Sequence, residues 1–160
     1  MNILMVYDSK FGNTEHIARV IAERLDRHGH VQLTTAELAP RTMPKALDLL
    51  VVGGPTQGHG ASPVLRTWLE HLEPVHGVQA AAFDTRFAKP RWLTGSAAQA
   101  VARRLRGLGF HLVRDPESFF VTHAEGPLVD GEPARATVWA DALAEELAKA
   151  TPRLTPRHVG

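Results

Sequence analysis

The chain of 160 residues predicts an α/β fold built as a three-layer, doubly wound, five-stranded parallel sheet of strand order 2-1-3-4-5. Strand-like and helix-like segments alternate from one end to the other, the pattern of successive parallel βαβ units. One strand, Leu47-Asp48-Leu49-Leu50-Val51-Val52, is a near-continuous apolar run of the kind covered on both faces. Turns carrying glycine and hydroxyl groups follow the first and third strands, where the ligand crevice of such a sheet opens.

The first strand is Ile3-Leu4-Met5-Val6-Tyr7-Asp8, an apolar run too short for a buried helix. After the turn Ser9-Lys10-Phe11-Gly12-Asn13-Thr14 a helix runs from Glu15 to Leu25, with Ile17, Val20, Ile21 and Leu25 on one face. Val31 to Thr35 alternates as a second, edge-like strand, and Leu47 to Val52 is the third, followed by a loop from Gly53 to Gly60. The next helix has Ser62 as its cap and Pro63 at its first position, and carries Leu65, Trp68, Leu69 and Leu72. Val78 to Phe83 is the fourth strand, and a loop from Asp84 to Gly95 leads into a helix from about Ser96 to Leu108. The fifth strand is interrupted: His111-Leu112-Val113 and Ser118 to Thr122 are strand-like, but Pro116 between them removes a ladder donor. Asp130-Gly131-Glu132-Pro133 opens a last helix to about Ala150, with Trp139, Leu143 and Leu147 facing inward. Residues 1–150 read as one domain and residues 151–160, with two prolines and little apolar content, as a flexible C-terminal tail.

Composition narrows the function classes. Apolar residues at 44% and charged residues at 22% are an ordinary globular profile. No apolar run approaches the ~20 residues of a membrane span, and no signal segment precedes the first strand, so a cytoplasmic location without a membrane span is expected. With no cysteine there is no thiolate nucleophile or thiolate metal site, and redox chemistry has to come from a bound cofactor. A net charge of +1 is too balanced to imply nucleic-acid binding. His28 and His30 are neighbours, but no His/Asp/Glu set at ligand spacing accompanies them, so no metal site is expected.

A strand, a tight turn and a helix start together make an anion site. The first N–H groups of a helix have no internal partners, and the helix dipole places about half a positive charge there. Ser9, Asn13 and Thr14 add side-chain donors, and Gly12 lets the backbone approach closely. The loop is neither G-x-x-x-x-G-K-[ST] nor G-x-G-x-x-G, which excludes the nucleotide-hydrolase and dinucleotide loops. A hydroxyl-rich cap on an ordinary α/β protein is the bland alternative.

The pattern Ser-x-x-Gly-Asn-Thr after an apolar strand ending in an aromatic resembles the phosphate loop of flavodoxins. Gly-Gly-Pro-Thr-Gln-Gly-His-Gly resembles the second flavin loop of that family, and Val129 to Arg135 its short-chain junction before the last helix. The resemblance runs from Met1 to about Ala150 and implies a flavodoxin-like fold and FMN as cofactor. It implies that Ser9, Gly12, Asn13 and Thr14 hold the phosphate, with Lys10 and Phe11 presenting backbone N–H groups. Pro55, Thr56, Gln57, Gly58, His59 and Gly60 would lie along the ring, and Asp84, Thr85 and Arg86 would border its pyrimidine edge. Family members stack aromatics on the ring; the only tyrosine, Tyr7, ends the first strand, which leaves Phe87, Trp92 and His59 as candidates. Lys10, Arg86 and Arg91 place positive charge in loops where the family's carriers usually avoid it.

The function implied is an FMN-binding electron-transfer protein, with the flavin doing the chemistry. Its counterpart would be a redox partner protein or a small-molecule electron acceptor, and its state a monomer or homodimer. An FMN-dependent NAD(P)H or quinone reductase, or a flavodoxin-like dehydrogenase of haem biosynthesis, would instead open a second-substrate pocket with residues 87–94. A flavodoxin-fold module that has lost its flavin is the third reading.

Overall fold

In the computed structural model, which describes residues 1–150, the strands are β1 (Asn2–Tyr7), β2 (His30–Thr35), β3 (Leu49–Gln57), β4 (Gly60–Ala61), β5 (Gln79–Phe87), β6 (His111–Leu112) and β7 (Glu117–Val121). The helices are α1 (Asn13–Leu25), α2 (Pro63–His71), α3 (Arg91–Thr94), α4 (Ala97–Gly107) and α5 (Glu132–Ala150). The sheet runs β2-β1-β3-β5-β6, with β7 on β5 beyond β6 and β4 folded back on β3. This is the expected 2-1-3-4-5 order: β5 is the fourth strand, and β6 and β7 are the two halves of a broken fifth. The predicted tail lies outside the described residues.

Alternation along the strands divides the core between the two faces. Leu4, Val6, Leu50, Val52, Ala80 and Ala82 meet Leu65, Trp68 and Leu69 of α2 and Val101 and Leu105 of α4. Ile3, Met5, Leu49, Val51, Ala81 and Phe83 meet Ile17, Ile21 and Leu25 of α1 and Trp139, Leu143 and Leu147 of α5. On this second face Phe83, Phe119 and Trp139 pack edge to face, with ring centroids 6.0–6.1 Å apart. The Ser62 cap follows the sequence, its Oγ accepting from Leu65 N, and the structure adds a second at Ser96, whose Oγ accepts from Gln99 N.

Two strands run past their predicted ends. β3 continues through Gly53-Gly54-Pro55-Thr56-Gln57, and β5 continues through Asp84-Thr85-Arg86-Phe87, all expected as loop. Glycine and proline ordinarily interrupt a strand. Here Gly53 pairs with Phe83, and a Cβ on it would stand 2.0 Å from that ring, so the missing side chain is what lets the aromatic lie across the sheet. Pro55 sits beyond the last β1–β3 pair, Tyr7 with Gly53, so its missing N–H breaks no rung of that ladder. The extension of β5 is held by β7, from Phe83 opposite Glu117 to Phe87 opposite Val121.

β3 then turns back into β4 through Gly58 and His59, both at positive φ (53° and 67°) between the paired Gln57 and Gly60. Two left-handed residues in a two-residue connection are the signature of a type I′ hairpin. The tip is pinned by a bridge from His59 to Gly95, where a Cβ would stand 2.0 Å from the His59 carbonyl oxygen.

Candidate functional site

A cleft of about 570 Å³, the size of a small-molecule site, opens beyond the carboxyl ends of β1, β3 and β5. Ser9, Lys10, Phe11, Asn13 and Thr14 form one wall, and Pro55, Thr56, Gln57, Gly58 and His59 the facing one. Thr85, Arg86 and Phe87 line it from the end of β5. The three segments thus meet at one cleft.

Two helices point their N-termini at this region, and they are satisfied differently. In α4 the first amides are consumed internally: Ala97 N donates to Thr56 Oγ1 (3.1 Å), Ala98 N to Asp84 Oδ2 (3.0 Å) and Gln99 N to Ser96 Oγ. Asp84 Oδ2 also accepts from Ser96 Oγ at 2.6 Å and from Thr56 Oγ1 at 3.3 Å. A fully buried carboxylate already complements that dipole.

At α1 no carboxylate caps the helix. The N-cap is Gly12 at φ 91°, a conformation that strains any residue with a Cβ. Gly12 N and Glu15 N both donate to Ser9 Oγ, at 3.1 and 3.2 Å, and no carbonyl of the helix can reach the amides of Asn13 and Thr14. The Glu15 carboxylate, which would oppose an anion here, is drawn off by Arg19 (2.8 Å) and by the Tyr7 hydroxyl (3.1 Å). The Arg19 guanidinium, followed by the Tyr7 hydrogen bond, holds the Glu15 carboxyl below its ordinary range, while burial and then Glu15 push the Tyr7 phenol up. The arrangement is a neutral hydroxyl sitting where a dipole and several N–H groups converge, ready to give way to an anion.

Several residues stand apart from their expected roles. Thr14 lies on the wall, but its hydroxyl is buried against Thr85 Oγ1 at 2.8 Å. Asp84 lies beneath the cleft rather than on it, and Gly12 and Gly60 shape its loops without lining it. Trp92 is 80% exposed and outside the lining. Of the three stacking candidates the structure therefore brings Phe87 and His59 to the cleft. The Asn13 carboxamide faces Gly126 in the loop after β7, where a Cβ would stand 2.6 Å from its Oδ1.

Arg86 is fixed rather than free. Its Nε donates to Ser118 Oγ, and its Nη1 to the Lys89 and Phe87 carbonyls and to Thr94 Oγ1. Burial lowers its pKa from the ordinary guanidinium value, with Asp84 opposing that shift and Arg91 adding to it. Its charge is held at the cleft wall while it staples the 88–94 loop. Val121, Ala124, Lys89, Leu93 and Thr94 complete the lining of the cleft. Val121 and Ala124 carried no chemical signal in the sequence; the β5–β7 pairing places Val121 there.

Comparison with known proteins returns one family model, described as Flavodoxin, matching residues 5–88, more than half of the chain. No curated protein matches. Among solved structures, a flavodoxin from the domain Archaea superimposes with a TM-score of 0.75 at 21% identity, covering 92% of this chain and 99% of that one. Flavodoxin 2 from Bacillus cereus gives 0.70 at 23%, covering 94% and 100%. The rubredoxin oxygen:oxidoreductase of Desulfovibrio gigas gives 0.69 at 20%, covering 94% of this chain and 37% of that larger one.

Proposed function

The chain belongs to the flavodoxin family, and from that premise we propose that it binds FMN in the cleft beyond β1, β3 and β5 and transfers electrons through it. The observation that carries the reading is the α1 cradle, where Gly12 N and Glu15 N converge on a neutral Ser9 hydroxyl. Among the described residues no helix is long and apolar enough to cross a membrane.

When bound, FMN supplies an electron-accepting ring that gains negative charge on full reduction. Ser9, Asn13 and the amides around Gly12 would hold the phosphate, and Thr14 would support the cradle from below through Thr85. The hairpin at Gly58 and His59 and the Phe87 side would flank the ring.

The binding test is thermal. FMN at about a hundredfold excess over its dissociation constant stabilises the fold by about 2.7 kcal/mol, which raises the melting temperature by about 5–10 °C in a domain of this size. A melting temperature indifferent to FMN would leave the flavin-less module as the reading. Lining of the cleft by Lys89, Leu93 and Thr94 favours one second reading, a reductase admitting NAD(P)H or a quinone over the ring. Bleaching of the yellow protein by NAD(P)H alone selects it over the carrier.

Arg86 should set the potential. Opposite charges about 4 Å apart attract by about 4 kcal/mol at an effective dielectric near 20, and by less at greater distance. Replacement by Gln removes that attraction to a reduced ring, and each ~1.4 kcal/mol lost lowers a two-electron potential by about 30 mV. Spectroelectrochemical titration of wild type and Arg86→Gln should show the variant lower. Identical potentials would take Arg86 out of the electrostatics and leave it only the loop.

A further inference from the structure

We infer that the mouth of this cleft is a docking surface for a partner protein whose own contact face is acidic. The mouth combines two features that an idle surface does not need together. Phe11, Phe87, Trp92 and Leu93 are 48%, 38%, 80% and 46% exposed, four of the seven large apolar side chains exposed among the described residues. Three of them line the cleft, and Trp92 projects beside it from α3. Exposed aromatics gathered in one patch mark an interaction site, and tryptophan is the residue most enriched at interface hot spots.

The charge around them has one sign. Residues 9–14, 54–60 and 85–95 hold Lys10, Arg86, Lys89 and Arg91 and no Asp or Glu, although the whole chain carries 18 basic and 17 acidic residues. Lys10 and Lys89 line the cleft with their ammonium groups over Phe11 and Phe87, 5.3 and 6.0 Å from the ring centroids. Of the carboxylates that flank these segments, Asp8 is bonded to Ser62 Oγ at 2.5 Å, Glu15 is paired with Arg19 and the Tyr7 hydroxyl, and Asp84 is buried against Ser96 and Ala98; Glu125 is exposed beyond Ala124. A basic ring around an apolar centre attracts a carboxylate-rimmed apolar patch, and it penalises a basic one by like-charge contact. The docking claim stands on this rim alone; that the docked partner exchanges electrons rests on FMN binding in the cleft.

Carbodiimide cross-linking tests it, because the reagent joins lysine amines only to carboxylates already in contact. The chain has four lysines, Lys10, Lys45, Lys89 and Lys149, two of them at the mouth. Flavin-loaded and flavin-free protein are each incubated with an acidic plant-type ferredoxin and, separately, with a basic c-type cytochrome. The expected product is a one-to-one ferredoxin adduct through Lys10 or Lys89, suppressed in about 0.5 M NaCl, where the screening length falls to about 4 Å. Lys89→Glu with Arg91→Glu should cut its yield about tenfold and shift preference toward the cytochrome, and Trp92→Ala should cut it about fivefold. These side chains are exposed, so unchanged melting temperatures confirm that the variants fold. Equal adduct with the cytochrome, linkage through Lys45 or Lys149, or indifference to the rim variants would overturn the proposal. A colourless protein that still cross-links in this way keeps the docking surface and removes the FMN reading; a yellow one that does not cross-link does the reverse.

Discussion

FMN should bind this protein about a hundredfold or more tightly than riboflavin, which differs only in lacking the phosphate. The expectation comes from the state of the α1 N-terminus. Gly12 N and Glu15 N are paired only with the neutral Ser9 Oγ, and Asn13 and Thr14 present the amides of the first turn. A phosphate replacing the hydroxyl converts neutral hydrogen bonds into charge-assisted ones, each worth about 1.5–3 kcal/mol. Two such bonds give about 3 kcal/mol or more, and every 1.4 kcal/mol is about a tenfold change in affinity. Ser9→Ala should weaken FMN by about 1–3 kcal/mol while leaving riboflavin nearly unchanged. Thr14→Ala should act differently, lowering stability as well as FMN affinity, because it also strips Thr85 of its buried partner. Fluorescence titration of both flavins reads all of this, and equal affinities for the two would defeat the phosphate-cradle argument.

Replacing Asp84 by Ala should destabilise the fold by about 3 kcal/mol, a fall of about 6–12 °C in melting temperature. The carboxylate is fully buried, and one oxygen receives Ser96 Oγ, Ala98 N and Thr56 Oγ1. Alanine leaves the Ala98 amide and the Ser96 hydroxyl without their acceptor at the start of α4, in a place water does not easily reach. Thr56 and the His59–Gly95 bridge hang on the same corner, so the hairpin wall should loosen and FMN affinity should fall with stability. Asp84→Asn keeps an acceptor oxygen and the shape, and should cost less than alanine. Thermal melts of the two variants check the order; an alanine variant as stable as wild type would show that α4 does not need this carboxylate.

The cleft was legible in part. The segments Ser9–Thr14 and Pro55–His59 carry local signals, hydroxyls and glycine before a helix and a glycine-rich run after an apolar strand, whereas Thr85–Phe87 follows from the expected convergence of loops beyond the strand ends and from the family resemblance. The resemblance implies Asp84 at the pyrimidine edge and Trp92 is a candidate to stack, and the structure lines the cleft with neither. Consecutive residues of an extended strand point to opposite faces, so Thr85 can line the cleft while Asp84 turns beneath it to α4. Trp92 is carried outward by a helix of one turn.

The alternation of strands and helices, the Ser62 cap, the break at Pro116 and the glycine- and hydroxyl-bearing turn before α1 are legible in the sequence alone. Each of these depends on residues within a turn or two of one another, through periodicity, capping and backbone freedom. Tertiary structure alone decided that Gly53 to Gln57 and Asp84 to Phe87 are strand. Gly53, Gly54 and Pro55 argue locally for a loop in the first, which the Phe83 ring lying over Gly53 overrules, and the second becomes strand through its pairing with β7. The same pairing brings Val121 to the cleft lining and sets Arg86 against Ser118, contacts between segments more than 30 residues apart. Ladder hydrogen bonds and ring packing across the sheet are long-range terms, and no local pattern contains them.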